Sequence, residues 1–174
     1  MTVSVVVGNP RAKSRTLDLA EAVADEICAL TGDQRGRIID LATVAGRLFD
    51  WPDVELTAVT DDVARSRVVV FASPTYKAAY TGMMKAFLDR YPRHGLRSVV
   101  AVPVLTGSTM EHAMSVDTTL RPILFELGAT LPTTSLYFPI SQMPQMREAV
   151  KGWATQNAEI LRLLCATSIA SRGL

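Results

Sequence analysis

The 174-residue sequence predicts a doubly wound α/β domain built on a five-stranded parallel sheet. Two observations support this fold class. Short apolar runs such as residues 3–7 show no polar alternation, which is typical of strands that are buried on both faces. Segments with apolar residues at helical spacing, such as residues 16–30, separate these runs. An alternation of this kind favours a parallel sheet that is covered by helices on both sides.

The five strands are predicted from apolar or β-branched runs that end at turn-forming residues. The first run consists mostly of valine and ends at Gly8, whereas the second run is the weakest. The fifth has Pro132 near its start, where the missing N–H group of proline is tolerated. The predicted strands are residues 3–7, 37–41, 68–72, 98–105 and 130–138.

Five helices are predicted from the 3.6-residue repeat of apolar positions. The first has Ser14 or Thr16 available as its N-cap. Pro122 lies inside the fourth predicted helix and removes a backbone hydrogen bond, so we expect a kink or a break near it. Residues 42–57 show no clear pattern. The predicted helices are residues 16–30, 61–66, 82–90, 110–127 and about 145–165.

The composition excludes several classes of protein. Apolar residues make up 48% and charged residues 20%, which is typical of a globular chain, and we expect one domain over residues 1–174. The net charge of +1 provides no field that would attract nucleic acid or an anionic membrane. Apolar runs such as residues 99–105 are too short to span a bilayer, and the N-terminus does not resemble a signal peptide. Cys28 and Cys165 are too few for a disulfide framework or a metal cluster, so we expect a cytoplasmic protein without a bound metal.

Three loops leave the carboxyl ends of the predicted strands, where ligands bind in sheets of this type. The first, residues 8–16, has neither the G-x-G-x-x-G nor the G-x-x-x-x-G-K-[ST] spacing. It nevertheless places hydroxyl, amide and guanidinium groups at the start of a helix, which suits a terminal phosphate. The alternative is a capped helix preceded by a solvated basic loop. The side chains in question are Asn9, Arg11, Ser14, Arg15 and Thr16.

The second and third loops suit a flat heteroaromatic ring. The second loop, residues 73–82, offers Pro74, Thr75 and Tyr76, followed by Gly82, which permits the backbone to approach such a ring closely. The third loop, residues 106–109, consists of small residues. The alternative is an ordinary loop whose tyrosines pack on a neighbouring helix.

Two other classes of protein with this architecture are excluded, because this sequence lacks a residue that each of them requires. A phosphoacceptor domain requires acidic residues after the first strand, and none follows it. A low-molecular-weight phosphatase requires a cysteine that opens the first loop, whereas Cys28 lies well inside the first predicted helix.

The three loops carry a resemblance to a known family. The segments GNPRAKSRT, SPTYKAAYTGMMKAFLD and TGSTMEHAMSVDTTLRPIL resemble the NADPH-dependent FMN reductase family, which has a flavodoxin-like fold with strand order 2-1-3-4-5. They are most similar to the branch that serves two-component alkanesulfonate monooxygenases. The similarity runs in order from about residue 3 to residue 138.

The resemblance implies an NAD(P)H-dependent FMN reductase that transfers hydride from NADPH or NADH to flavin N5 and supplies reduced flavin to a partner monooxygenase. It implies no catalytic side chain, because the chemistry takes place on the cofactor. It also implies a homodimer or homotetramer, with Lys85 and Asp89 either as a surface pair or as a subunit contact. By position, the FMN phosphate would be held by Asn9, Arg11, Ser14, Arg15 and Thr16. The ring would be bordered by Pro74, Thr75, Tyr76 and Lys77 on one side and by Gly107 and Ser108 on the other.

One departure from the family pattern concerns the helix after the third loop. The alkanesulfonate-type reductases have a tyrosine or histidine inserted there, which is associated with FMN that leaves after reduction and with the tetramer interface. The aligned position is Thr118 or Thr119. Two alternatives therefore stay open: a reductase of quinones or azo compounds that keeps FMN bound, and an electron carrier without NAD(P)H turnover.

Overall fold

The computed structural model describes residues 1–170, with side chains through residue 164, and contains a five-stranded sheet. The strand order is β2-β1-β3-β4-β5 and every pairing is parallel, which confirms the predicted fold class and order. The strands are β1 Thr2–Val7, β2 Gln34–Asp40, β3 Val68–Pro74, β4 Val100–Gly107 and β5 Leu136–Pro139. The core of the sheet is buried on both faces, as the absence of polar alternation predicts.

Helices cover both faces of this sheet. The α-helices are α1 Arg15–Thr31, α2 Val54–Arg65, α3 Gly82–Leu88, α4 Arg121–Glu126, α5 Met146–Gln156 and α6 Ala158–Ala170. One apolar core lies beneath α1, α5 and α6 and includes Leu19, Val70 and Trp153. The other lies beneath α2, α3 and α4 and includes Phe71 and Phe87. No helix of the described chain has the length and apolar character required to cross a bilayer.

The least readable part of the sequence contains well-capped helices. Leu41–Arg47 forms a 3₁₀-helix that Asp40 caps. Helix α2 is twelve residues long and begins at Val54, seven residues before the start of the predicted helix 61–66. The carboxylate of Asp53 caps α2 by accepting a hydrogen bond from the Leu56 N–H group at 2.9 Å. This N-cap fixes the start of the helix at a point that the predicted bounds do not include.

The predicted helix over residues 110–127 is broken, as Pro122 indicated. It consists of the 3₁₀-turn Met110–His112, the π-helical turn Val116–Leu120 and α4, with the proline in the first turn of α4. Proline is compatible with the first turn of a helix because the N–H groups there lack intrahelical partners.

Two further predicted elements differ from the structure. The fifth strand is shorter than residues 130–138, because the Arg121 guanidinium binds backbone carbonyls in this segment, including that of Leu131 at 2.8 Å. The last helix is divided at Asn157, whose side chain accepts a hydrogen bond from the Thr134 N–H group at 2.9 Å. The side chain of Cys165 lies outside the described residues, and Cys28 is a half-buried free thiol.

Candidate functional site

The first two loops form an open cleft of about 470 Å³ at the carboxyl ends of the strands. Parallel pairing brings the ends of β1, β3 and β4 to one edge of the sheet, where Pro74 is the register partner of Thr106. The cleft is lined by Asn9, Arg11, Ala12, Lys13, Ser14, Arg15, Thr16, Pro74, Tyr76 and Ile140. The structure therefore brings the predicted phosphate ligands together with two of the predicted ring contacts.

The basic first loop ends at the N-terminus of α1. Ser14 is the N-cap, and its hydroxyl accepts a hydrogen bond from the Leu17 N–H group at 3.3 Å. The N–H groups of Arg15 and Thr16, which precede that of Leu17, have no acceptor within the helix, so they are available to an anion. Arg11 and Arg15 are exposed, and neither guanidinium forms an ion pair or hydrogen bond within the part of the chain that the structure describes. Such an end of a helix attracts negative charge.

A hydrogen-bond chain that begins at a buried pair of threonines joins the first loop to β4. The Thr16 hydroxyl, which is 0% exposed, lies 2.8 Å from the hydroxyl of Thr106 and accepts a hydrogen bond from Asn9 Nδ2 at 3.1 Å. The Asn9 carboxamide in turn accepts from the Arg11 N–H group at 2.9 Å. These bonds fix the loop at both ends, so Asn9 and Thr16 shape it from within.

The second loop contains a tight two-residue turn, Lys77–Ala78. The N–H group of Tyr76 donates to the Ala79 carbonyl at 2.8 Å, and the reverse bond is 3.2 Å long. Lys77 and Ala78 have φ values of 53° and 60°, which is the pattern of a type I′ turn. Asparagine and glycine are the residues that usually form this turn, so lysine and alanine at these positions do not indicate it. The turn leaves the Tyr76 side chain 53% exposed at the rim of the cleft.

Thr81 connects the first loop to α3. Its hydroxyl donates to the Gly8 carbonyl at 2.6 Å and accepts from the Met84 N–H group at 3.2 Å, while its own N–H group donates to the Ser73 hydroxyl at 3.0 Å. A Cβ atom on Gly82 would meet nothing within 4 Å, so the space beside this glycine is open and the approach of a ring to it stays a prediction. A close approach within the protein occurs at Gly8, where a Cβ atom would lie 2.7 Å from Met84 Cβ.

The third loop adjoins the aromatic ring of Tyr137. The phenol donates to the Thr109 carbonyl at 2.8 Å, and a Cβ atom on Gly107 would lie 1.8 Å from the phenol oxygen. Only glycine fits at this position without displacing Tyr137. Ser108 is exposed beside it.

The residues at this edge fit FMN by their chemistry. The Thr75 hydroxyl is buried without a hydrogen-bond partner in the described chain, although the Thr75 N–H group donates to the Thr106 carbonyl at 2.7 Å. A buried hydroxyl without a partner costs free energy unless a ligand satisfies it. Cationic side chains at a helix N-terminus, next to a loop with an exposed tyrosine, suit a molecule with a phosphate at one end and a flat ring at the other. No cluster of potential metal ligands occurs among the described residues.

Sequence reasoning missed three residues that organise the site. Thr81 and Thr106 form bonds between loops, and Asp40 accepts a hydrogen bond from the Lys13 N–H group at 3.0 Å. A threonine directly before a helix is a recognisable N-cap signal, which would have identified Thr81. Nothing in the sequence pattern signals the bonds of Thr106 or Asp40, since their partners are distant in the chain.

The comparisons with known proteins agree with this geometry. The sequence model of the NADPH-dependent FMN reductase family matches residues 1–142. The chain belongs to the NADPH-dependent FMN reductase family. The resemblance identified from the sequence is thus confirmed, and with it the assignment as an oxidoreductase that uses FMN with NADPH or NADH as the electron donor.

Two curated members of the family show the extent of the similarity. The FMN reductase (NADPH) of Escherichia coli strain K12 is 33% identical over 135 residues, which cover 74% of this chain and 68% of that protein. The NADH-dependent FMN reductase SfnF of Pseudomonas putida is 30% identical over 136 residues, covering 75% of this chain and 73% of that protein.

Solved structures extend the likeness to the fold. The apo form of the NADH:FMN oxidoreductase EMOB superimposes with a TM-score of 0.74 and 26% identity, over 89% of both chains. An oxidoreductase from Corynebacterium diphtheriae superimposes with a TM-score of 0.81 over 92% of this chain and 96% of that chain, and at 21% identity it supports the fold alone.

Proposed function

We propose that this FMN reductase treats FMN as a substrate that leaves after reduction, so that reduced FMN reaches a partner monooxygenase. The observation that carries the proposal is the π-helical turn Val116–Leu120, which closely follows the third loop. A π-helical turn closes on i→i+5 hydrogen bonds, so it accommodates one residue more than an α-helical turn, and such turns are frequent at functional sites. It contains Thr118 and Thr119, the positions that we align with the residue inserted in the alkanesulfonate-type reductases.

Threonine occupies the position of the inserted aromatic residue. The hydroxyls of Thr118 and Thr119 donate to the carbonyls of Met114 and Ser115 at 2.9 Å and 2.6 Å, within the same helical segment. Their side chains therefore bond to the local backbone. On this proposal, the backbone feature favours release of FMN even without the aromatic side chain.

Each loop has a proposed part in binding FMN. The basic first loop holds the phosphate, the second loop orients the ring, and the third loop limits the access of water to its far side. When bound, FMN supplies the ring that accepts the hydride, while the protein supplies position and electrostatics. The proposed phosphate ligands are Asn9, Arg11, Ser14, Arg15 and Thr16, and the proposed ring contacts are Pro74, Thr75, Tyr76, Lys77, Gly107 and Ser108.

Replacement of Arg15 tests the phosphate assignment. Arg15→Ala is expected to weaken FMN binding by about 1.5–3 kcal/mol, the contribution of a hydrogen bond to a charged group. Arg97→Ala is the matched control, because Arg97 is also exposed but precedes β4 and so lies at the opposite end of the sheet. Flavin fluorescence titration measures both affinities. An Arg15→Ala variant that binds FMN as tightly as the control contradicts the assignment.

Steady-state oxidation of NADPH and NADH by the apoprotein, with and without free FMN, tests release. We expect the rate to rise and saturate at FMN concentrations far above that of the enzyme. A rate that requires only stoichiometric FMN and rises with added quinone would contradict release and favour a bound cofactor. The same assay establishes which of the two nicotinamide nucleotides is preferred.

We propose a homodimer or homotetramer in the cytoplasm, where NADPH and NADH are available. Lys85 of α3 and Asp89, which directly follows this helix, form an exposed ion pair at 2.6 Å, and Asp89 raises the pKa of the Lys85 ammonium through this bond. An exposed i,i+4 pair contributes only a few tenths of a kcal/mol to the helix. Because breaking the pair costs so little, either side chain could instead bind a second subunit. Light scattering at several protein concentrations tests the assembly; a monomer throughout would contradict it.

A further inference from the structure

Asp40 lies outside the three loops but contacts the first of them. It is the last residue of β2 and the register partner of Val7, the last residue of β1. Its two carboxylate oxygens accept hydrogen bonds from backbone N–H groups, one from Lys13 at 3.0 Å and one from Ala42 at 3.3 Å. The first bond joins strand β2 to the middle of the first loop, and the second caps the 3₁₀-helix that follows.

Lys13 adopts a conformation that requires support. Its φ value of 53° lies in the left-handed region, which costs a residue with a Cβ atom roughly 1–2 kcal/mol. The loop nevertheless has lysine and not glycine here, and the bond to Asp40 holds its backbone N–H group. The conformation of the loop between Arg11 and Ser14 therefore depends on a carboxylate that is 27 residues away in the chain.

The charge of Asp40 cannot be the source of a favourable effect on an anion. A carboxylate near a phosphate repels it, and the repulsion is strongest where water is partly excluded. Because both oxygens already accept backbone hydrogen bonds, the useful contribution of Asp40 is geometric.

We propose that Asp40 is a positioning residue for the FMN phosphate. It holds Lys13 in the left-handed conformation, so that the donors of the first loop and of the N-terminus of α1 converge on one phosphate. This inference rests on the proposed function, because it takes the first loop to be the phosphate site.

A comparison of FMN with riboflavin, which lacks the phosphate, tests this role. Asp40→Ala is expected to weaken FMN binding roughly three- to tenfold, the equivalent of one hydrogen bond, and to change riboflavin binding by less than about twofold. Asp40→Asn keeps the size and one acceptor, so its loss of FMN affinity is expected to be smaller. The matched control is Thr43→Ala, because the exposed Thr43 hydroxyl donates to the Asp40 carbonyl at 2.8 Å in the same 3₁₀-turn without touching the first loop.

Fluorescence titrations of the purified variants with both flavins separate the possible outcomes. Equal loss of FMN and riboflavin affinity in Asp40→Ala would indicate general structural damage and overturn the proposal. Unchanged FMN binding in Asp40→Ala would mean that the carboxylate does not position the loop, and it would overturn the proposal. Tighter FMN binding in Asp40→Asn than in the wild type would mean that repulsion dominates, and it would also overturn the proposal. A wild type that binds riboflavin as tightly as FMN would refute the phosphate site itself, which distinguishes failure of the proposed function from failure of the role of Asp40.

Discussion

Replacing Thr81 with valine removes the bonds that join the first loop to the start of α3 while preserving the shape of the side chain. The hydroxyl of this buried residue donates to the Gly8 carbonyl and accepts from the Met84 N–H group. Valine has neither a donor nor an acceptor, so both backbone groups would lose their partner. The Thr81 N–H bond to Ser73 would remain, since it belongs to the backbone.

The expected cost is the sum of two contributions. Loss of an N-cap costs about 1 kcal/mol, within a range of roughly 0.5–2. A buried carbonyl without its donor costs about 1–3 kcal/mol. Together they reduce the free energy of unfolding by about 2–4 kcal/mol, which lowers the melting temperature of a chain of this length by roughly 5–15 °C.

Thr81→Ser is the control for this measurement. Serine keeps both hydroxyl bonds and loses one buried methyl group, which costs about 1 kcal/mol. Thermal unfolding followed by circular dichroism compares the two variants, and flavin titration shows whether the site is affected. A melting temperature for Thr81→Val equal to that of Thr81→Ser would refute the reasoning, because the hydroxyl would then contribute nothing.

Two further predictions concern stability. Gly8→Ala is expected to destabilise the protein by about 1–3 kcal/mol through overpacking against Met84. Gly152→Ala, in an open position of α5, is the control and is expected to be neutral or stabilising. Urea unfolding measures both variants, and equal free energies of unfolding would contradict the close approach at Gly8. The hydrogen bond from Arg37 holds the pKa of Asp62 below its ordinary value of 3.8. The ionised Asp62 therefore contributes stability at pH values above 3.8, and this contribution is lost as the pH falls through the lower pKa of the folded state. Asp62→Asn should therefore reduce the difference in urea midpoint between neutral and acidic pH, and an unchanged difference would rule out this source of acid sensitivity.

The central strands β1, β3 and β4 were predictable because they are buried on both faces, whereas the partly exposed β2 has the weakest pattern. Burial of this kind requires continuous apolar runs such as residues 3–7 and 68–72, and these are visible without knowledge of the partners. The start of α1 was predictable for a similar reason, since Ser14 caps it within three residues of its partner. Local signals of this sort identify strands, helix ends and the edge of the sheet where ligands bind.

The shape of the second loop was not predictable from such signals. Lys77 and Ala78 occupy the two left-handed positions of its turn, although neither is a residue type that favours them. The antiparallel bonds between Tyr76 and Ala79 stabilise the turn. Tertiary context thus overrides local preference at the point where the chain borders the cleft, and strained backbone of this kind is common at binding sites.

The bonds between the loops explain why the candidate site needs all three of them. Thr106 contacts the first loop through its side chain, which bonds to Thr16, and the second loop through its carbonyl, which accepts from Thr75. The basic first loop, our proposed phosphate site, is thereby fixed by a buried bond, whereas Tyr76, a proposed ring contact, remains exposed. On this proposal, FMN would be anchored at its phosphate and open at its ring. Such an arrangement suits a flavin that must meet a nicotinamide nucleotide and then leave.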